Sequence, residues 1–231
     1  MPANATKPGS VWCNTRAASP EPLALFGGTF DPVHYGHLRC AEQARRVFGL
    51  ECLYLLPAGQ PPHRLAPLAT TPQRLEMLHL AQAEFPQLAI DDRETRRDGP
   101  SFMVDTLGEL RSENPGRALV LLLGQDAMNG LHRWREWQQL FTLAHIVTFP
   151  RPGAYPDYAP ELAVQLERRG CASPGGLLAA PAGGFLHLDL ELVDISATEI
   201  QAIIRHGDSP RGMLPEKVLA YIDESALYRS V

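Results

Sequence analysis

The tightest constraint on how this chain can fold is the stretch Gly27-Gly28-Thr29-Phe30-Asp31-Pro32-Val33-His34-Tyr35-Gly36-His37 together with what flanks it. Upstream, Leu23-Ala24-Leu25-Phe26 is an apolar run long enough for a buried strand. Downstream, Leu38, Ala41, Ala44, Val47 and Phe48 recur at near-helical spacing as far as Gly49, a helix stop. The stretch is therefore a strand-to-helix turn that opens a βα unit. Its two adjacent glycines carry no Cβ that would hold a polyanion off the backbone. Pro32 biases Asp31 toward an extended conformation, so the chain crosses over before it coils. His37 then falls in the first helical turn, where unpaired N–H groups and the positive end of the helix dipole attract phosphate. His34 and His37 can face one site, and Gly36 leaves room between them.

The same alternation continues along the chain. Cys52 to Leu56 reads as a parallel strand buried on both faces, ending at Pro57. Thr71 is the expected N-cap of a helix that has Pro72 at its first position and carries Leu75, Leu78, Ala81 and Phe85. Leu88 to Ile90 suits a short strand, and the charge run from Asp91 to Asp98 reads as a solvated loop. Ser101 is placed to cap a helix bearing Val104, Leu107 and Leu110. Ala118 to Leu123 is the strongest strand candidate, with Gly124-Gln125-Asp126 at its carboxyl end. His145 to Phe149 and Gly184 to Leu188 complete the strands, and a Pro/Gly-rich excursion around one helix, Glu161 to Arg169, lies between them. Ile195-Ser196-Ala197-Thr198 opens a helix bearing Ile200, Ile203 and Ile204, and a last helix follows Pro215.

Strands alternating with helices define a doubly wound, Rossmann-like α/β sheet with parallel strands. Residues 23–231 form one domain of that kind, and residues 1–22, which lack periodicity, read as a mobile N-terminal extension. Ligands of such sheets bind beyond the carboxyl ends of the strands. The Gly-Gly turn, the loop from Pro57 to Arg64, Gly124 to Asp126 and Ile195 to Thr198 all emerge there.

Composition and missing motifs narrow the chemistry. Neither G-x-x-x-x-G-K-S/T nor G-x-G-x-x-G nor G-x-S-x-G occurs, which disfavours P-loop, dinucleotide-dehydrogenase and α/β-hydrolase chemistry. A net charge of -5 without a basic run argues against nucleic acid as a partner. Lys7 and Lys217 are the only lysines, so an anionic substrate must be held by Arg, His and backbone N–H groups. Cys13, Cys40, Cys52 and Cys171 have no C-x-x-C spacing, which indicates a reducing compartment and no zinc site. No apolar run is long enough to cross a bilayer, so a cytoplasmic protein without a membrane partner is expected.

The stretch from Gly27 to His37 resembles the H-x-G-H signature of the nucleotidylyltransferase superfamily. In its full form it is similar to that of the bacterial nicotinate-mononucleotide adenylyltransferases. Ile195-Ser196-Ala197-Thr198 resembles the second superfamily signature, I-S-x-T-x-x-R, with Gln201 where Arg is expected and Arg205 one turn further on. Pro61-Pro62-His63-Arg64 is similar to the family's P-P-H-K/R segment. Gly99-Pro100-Ser101-Phe102-Met103 is similar to its P-S-Y-T segment, with Phe for Tyr and Met for Thr.

The resemblance implies transfer of the adenylyl group of ATP to nicotinate mononucleotide, giving nicotinate adenine dinucleotide and pyrophosphate by direct in-line attack. It implies His34 and His37 as catalytic residues. ATP would be bound by Gly27, Gly28, Thr29, Phe30, Asp31, Gly36, Ile195, Ser196 and Thr198. The mononucleotide would be bound by Arg64, Ser101, Phe102, Met103, Gly124, Asp126, Trp134 and Arg151, with Trp134 against the pyridinium ring. Mg²⁺ would be carried mainly on phosphate oxygens, with Asp31 touching it through water and no all-protein metal site. A sister transferase with another phosphate acceptor, and a non-catalytic nucleotide sensor suggested by Gln201, are the alternatives. The sequence leaves homo-oligomerisation open.

Overall fold

The computed structural model describes residues 21–60, 66–151, 153–191 and 193–229. In chain order the elements are β1 (Leu23–Gly28), α1 (Tyr35–Val47), β2 (Leu53–Pro57), α2 (Thr71–Ala81) and β3 (Leu88–Ile90). Next come α3 (Met103–Glu113), β4 (Leu119–Gly124), α4 (Gln125–Asn129), α5 (Trp137–Leu143) and β5 (His145–Phe149). They are followed by α6 (Pro160–Arg169), α7 (Pro174–Leu177), β6 (Phe185–His187), α8 (Ala197–Arg205) and α9 (Glu216–Glu224). The strands form one sheet in the order β3-β2-β1-β4-β5-β6, and every pairing is parallel.

Strand periodicity divides the core in two, because successive side chains point to opposite faces. Ala24 and Phe26 of β1, Leu53 and Leu55 of β2 and Val120 and Leu122 of β4 enter one cluster. That face is covered by Leu38 and Ala41 of α1, Met77 and Leu78 of α2, Ile200 of α8 and Val218 and Ile222 of α9. Leu23, Leu25, Leu119, Leu121 and Leu123 enter the other, under Leu107 of α3, Phe141 of α5 and Leu162 of α6. Burial on both faces explains why β4 is apolar throughout rather than alternating. Truncating a central leucine such as Leu121, fully buried, to Ala costs about 2–5 kcal/mol. No helix among the described residues is long and apolar enough to cross a membrane.

Three local expectations are corrected. Thr70, not Thr71, is the N-cap of α2: its backbone N–H and hydroxyl both donate to the Gln73 carboxamide oxygen, at 2.9 Å each. Ser101 does not cap α3, whose N-cap is Phe102. Its Oγ instead accepts from the Gly59 and Gln60 N–H groups, at 3.2 Å each, and so ties the end of β2 to the start of α3. The charge run is not a solvated face at every position: Asp91 and Glu94 are buried. Arg93 Nε lies 2.8 Å from the Asp91 carboxylate, and the Thr106 hydroxyl donates to Glu94 at 2.7 Å, so neither acid is buried unpaired.

Candidate active site

The strand order reverses between β1 and β4, and their carboxyl ends, Gly28 and Gly124, open onto the switch point. His34 leaves the turn extended (φ -147°, ψ 168°) as the N-cap of α1, and His37 follows on its first turn. The two imidazoles stack with centroids 3.7 Å apart and planes 32° apart. The Phe30 ring stands edge-on to His37 at 5.1 Å, which fixes the pair from the core side. His34 is 1% exposed, and neither of its ring nitrogens meets a hydrogen-bond partner among the described residues. Burial first, and the Arg151 charge second, push its pKa down to about 3, so the ring is neutral at pH 7. A buried imidazole with unused nitrogens is costly unless a ligand completes it.

The glycines act through close packing rather than through open space. A Cβ on Gly28 would stand 2.8 Å from the Phe30 ring, which folds back over the turn from a left-handed backbone (φ 52°). A Cβ on Gly36 would stand 2.9 Å from two His34 ring atoms and 3.0 Å from the Ile195 carbonyl oxygen. The room expected at Gly36 is therefore filled by His34 and by the start of the second signature. That contact brings the two signatures together. Ser196 is the N-cap of α8 and its hydroxyl accepts from Glu199 N–H at 3.1 Å, while the exposed Thr198 sits in the first turn.

Two cavities meet at this point. A water-sized one, about 20 Å³, is lined by Gly36, His37, Cys40, Arg151 and Ile195. A large one, about 490 Å³, is lined by Gly27, Gly28, Thr29, Ser101, Phe102, Met103, Asp126 and Trp134, with Glu94, Arg133 and Arg135. The Arg151–Asp126 pair, 3.4 Å apart, bridges them, and it packs so close to Gly124 that a Cβ there would lie 2.6 Å from Arg151 Cδ.

Two residues expected at ATP have side chains engaged in structural contacts. Phe30 is 1% exposed and belongs to the core under α1, so its side chain props the site instead of lining it. The Asp31 carboxylate, expected near ATP and its metal, is buried and accepts from Leu68 N–H at 2.7 Å, Ala69 N–H at 3.1 Å and the Tyr228 hydroxyl at 2.6 Å. Arg64 lies outside the described residues.

Sequence reasoning missed the residues that brace the turn. Arg74, 1% exposed, donates to the Thr29 carbonyl at 2.8 Å and to Gly59 O at 3.3 Å. It falls on the buried stripe of α2 with Met77, Leu78 and Ala81, and that helical spacing is the signal by which it could have been found. Gln201, the departure from the signature arginine, donates its amide to the Asp31 carbonyl at 2.6 Å and so ties α8 to the turn. Glu94, Arg133 and Arg135 had no signal beyond their charge.

A parallel sheet with paired imidazoles beside a helix N-terminus can hold an anionic ligand, and the comparisons with known proteins give the family. The pattern of the Cytidylyltransferase-like family matches residues 25–203, and the chain belongs to that family. Within it the chain groups with the nicotinate-nucleotide adenylyltransferases. It is 45% identical over 214 residues to a protein of Dechloromonas aromatica, covering 91% of this chain and 99% of that one. It is 44% identical over 208 residues to one of Aeromonas hydrophila, covering 90% and 97%. Both carry the name "Probable nicotinate-nucleotide adenylyltransferase". The solved Plasmodium falciparum nicotinic acid mononucleotide adenylyltransferase complexed with NaAD shares the fold, with a TM-score of 0.70 at 13% identity over 90% of this chain and 97% of that one.

Proposed function

We propose that this protein transfers the adenylyl group of ATP to nicotinate mononucleotide, releasing pyrophosphate and forming nicotinate adenine dinucleotide. The observation that carries this reading is the stacked pair His34–His37, with the His34 nitrogens unused, packed through Gly36 against Ile195 at the start of α8. That arrangement presents imidazole N–H donors and helix N-terminal N–H groups to one polyphosphate.

The acceptor phosphate is ionised at neutral pH, so direct attack on the α-phosphorus needs neither a general base nor a covalent intermediate. Catalysis then consists of alignment and of stabilising charge on the departing pyrophosphate. His34, neutral and fixed, holds a phosphate oxygen as an N–H donor, and His37 does the same on the leaving side. The cavity beside His37 is lined by Pro150, Arg151, Val193 and Ile195.

The large cavity suits the mononucleotide. The half-buried indole of Trp134 offers a face to the flat pyridinium cation. In the segment leading into α3 the Ser101 N–H is already bonded to Gln60 O at 3.0 Å, and the N–H groups of Phe102 and Met103 are the candidates for the ring carboxylate. Arg151 offers a cation for the phosphate and Asp126 an acceptor for a ribose hydroxyl.

Among the described residues no group of three His, Cys, Asp or Glu side chains converges to hold a metal, and Asp31 is committed to its loop. Mg²⁺, carried by phosphate oxygens and water, would neutralise charge on the polyphosphate here. The test is pyrophosphate release from ATP and Mg²⁺ with either nicotinate mononucleotide or nicotinamide mononucleotide. Turnover with a preference for the nicotinate form is expected. Nucleotide binding without pyrophosphate release from either would overturn the reading.

A further inference from the structure

The large cavity carries a cation to which the proposed function gives no task. Arg135 lines it beside Trp134, and its guanidinium carbon lies 4.8 Å from the centroid of the Phe102 ring. Phe102 is the N-cap residue of α3, in the segment assigned above to the ring carboxylate. The second cation of this wall, Arg133, is folded against the backbone: its Nη2 lies 2.9 Å from where a Cβ on Gly130 would be. Arg135 is held differently, by Asp105 at 3.6 Å and Glu136 at 3.4 Å. Those contacts are long and half exposed, so they orient the group without cancelling its charge. A planar guanidinium with five N–H donors keeps several of them for a ligand.

Resting on the function proposed above, we infer that Arg135 is a specificity-determining residue, selecting a pyridine ring that bears a carboxylate over the same ring bearing a carboxamide. Met103 supplies no side-chain donor to that substituent. The backbone N–H groups at the start of α3 already favour the anion modestly, through the helix dipole. A full positive charge over Phe102 favours only the anion, through a charge-assisted hydrogen bond in a partly desolvated cavity.

The experiment measures kcat/KM with nicotinate and nicotinamide mononucleotide for the wild-type protein, Arg135→Gln and Arg135→Lys. Arg135→Gln is expected to lower the ratio of the two kcat/KM values about tenfold, mainly by raising KM for the nicotinate form. Arg135→Lys, which keeps the charge, should recover more than half of that loss on a logarithmic scale. Added salt should compress the wild-type ratio and leave that of Arg135→Gln flat. An unchanged ratio in a folded, active Arg135→Gln protein, or a lysine variant as poor as the glutamine one, overturns the inference and leaves the function standing. A wild-type protein that turns over neither mononucleotide, or prefers the nicotinamide form, overturns the function as well.

Discussion

The two cavities that meet at the ends of β1 and β4 are built on opposite plans. On the side proposed for the phosphates the paired rings are close and fixed. His34 is 1% exposed, its ring is stacked at 3.7 Å on His37, and Gly36 and Phe30 leave the pair no alternative position. On the side proposed for the acceptor the cavity is about 490 Å³; Glu94 and Ser101 in its wall are buried, but its charged Asp126, Arg133 and Arg135 are exposed. Groups that stabilise charge in a transition state work best when they need no reorganisation as it forms. Groups that choose between substrates act in the bound state and tolerate more freedom. The comparison therefore predicts that damage on the phosphate side appears in kcat and damage on the acceptor side in KM.

The largest effect should come from His37→Ala. Loss of a donor aimed at developing charge is expected to lower kcat by roughly 3 kcal/mol or more, at least a hundredfold, with KM for the mononucleotide nearly unchanged. Steady-state pyrophosphate release measures both constants. A loss confined to KM would remove the distinction between the two sides.

Gly36→Ala should come next. The added methyl meets two His34 ring atoms at 2.9 Å and a backbone oxygen, Ile195 O, at 3.0 Å, and neither is the free end of a flexible chain. The ring must turn or α8 must back away, and either shift misplaces the donors. A fall of about 2 kcal/mol in kcat is expected, since small misplacements of reacting groups are expensive. Alanine is the better helix former by about 1 kcal/mol, so folding survives and the loss is a loss of alignment. Wild-type kcat in this variant would show that the packing of the two signatures is incidental.

The same burial has a signature in stability. The folded pKa of His34 is about 3 and its ordinary value 6.5. Between those values the unfolded chain binds a proton that the folded chain refuses. Stability on this account rises with pH through the window and falls on acidification, by up to about 1.4 kcal/mol per pH unit. Denaturant unfolding from pH 7 to 5, compared with His34→Asn, isolates the group from His145, whose pKa burial also lowers. Parallel wild-type and variant curves would mean that His34 is not held in its buried, neutral state.

How far each side could be read from the sequence follows from the same contrast. The turn with its paired imidazoles was legible because its residues lie in one run, Gly27 to His37, whose spacing sets the turn, the cap and the paired rings. The sheet was legible because β1, β2 and β4 are apolar runs buried on two faces. The braces were not, because they join distant residues: Gln201 reaches Asp31 across 170 positions and Tyr228 across 197. The acceptor wall was harder still. Helix α4 has 5 residues, too few to show a period, and Glu94 is hidden in a charge run that reads as solvated.

The smallest effect should come from Gly124→Ala, the acceptor-side counterpart of Gly36→Ala. Here too the added methyl is crowded, at 2.6 Å from Arg151 Cδ and 3.0 Å from an Asp126 carboxylate oxygen. Gly124 has φ -66° and ψ 155°, which alanine adopts freely, so the backbone is not strained. The obstacle is a side chain, and Arg151 is 31% exposed with a long, 3.4 Å ion contact to Asp126. It can swing toward solvent at a cost on the order of 1 kcal/mol. KM for the mononucleotide should rise a few-fold while kcat stays within about twofold of wild type. Two glycines with nearly equal crowding would then differ in effect only because one faces fixed groups and the other a movable one. If Gly124→Ala lost as much kcat as Gly36→Ala, Arg151 would have to be counted among the fixed groups, and the boundary between the two sides would move across it.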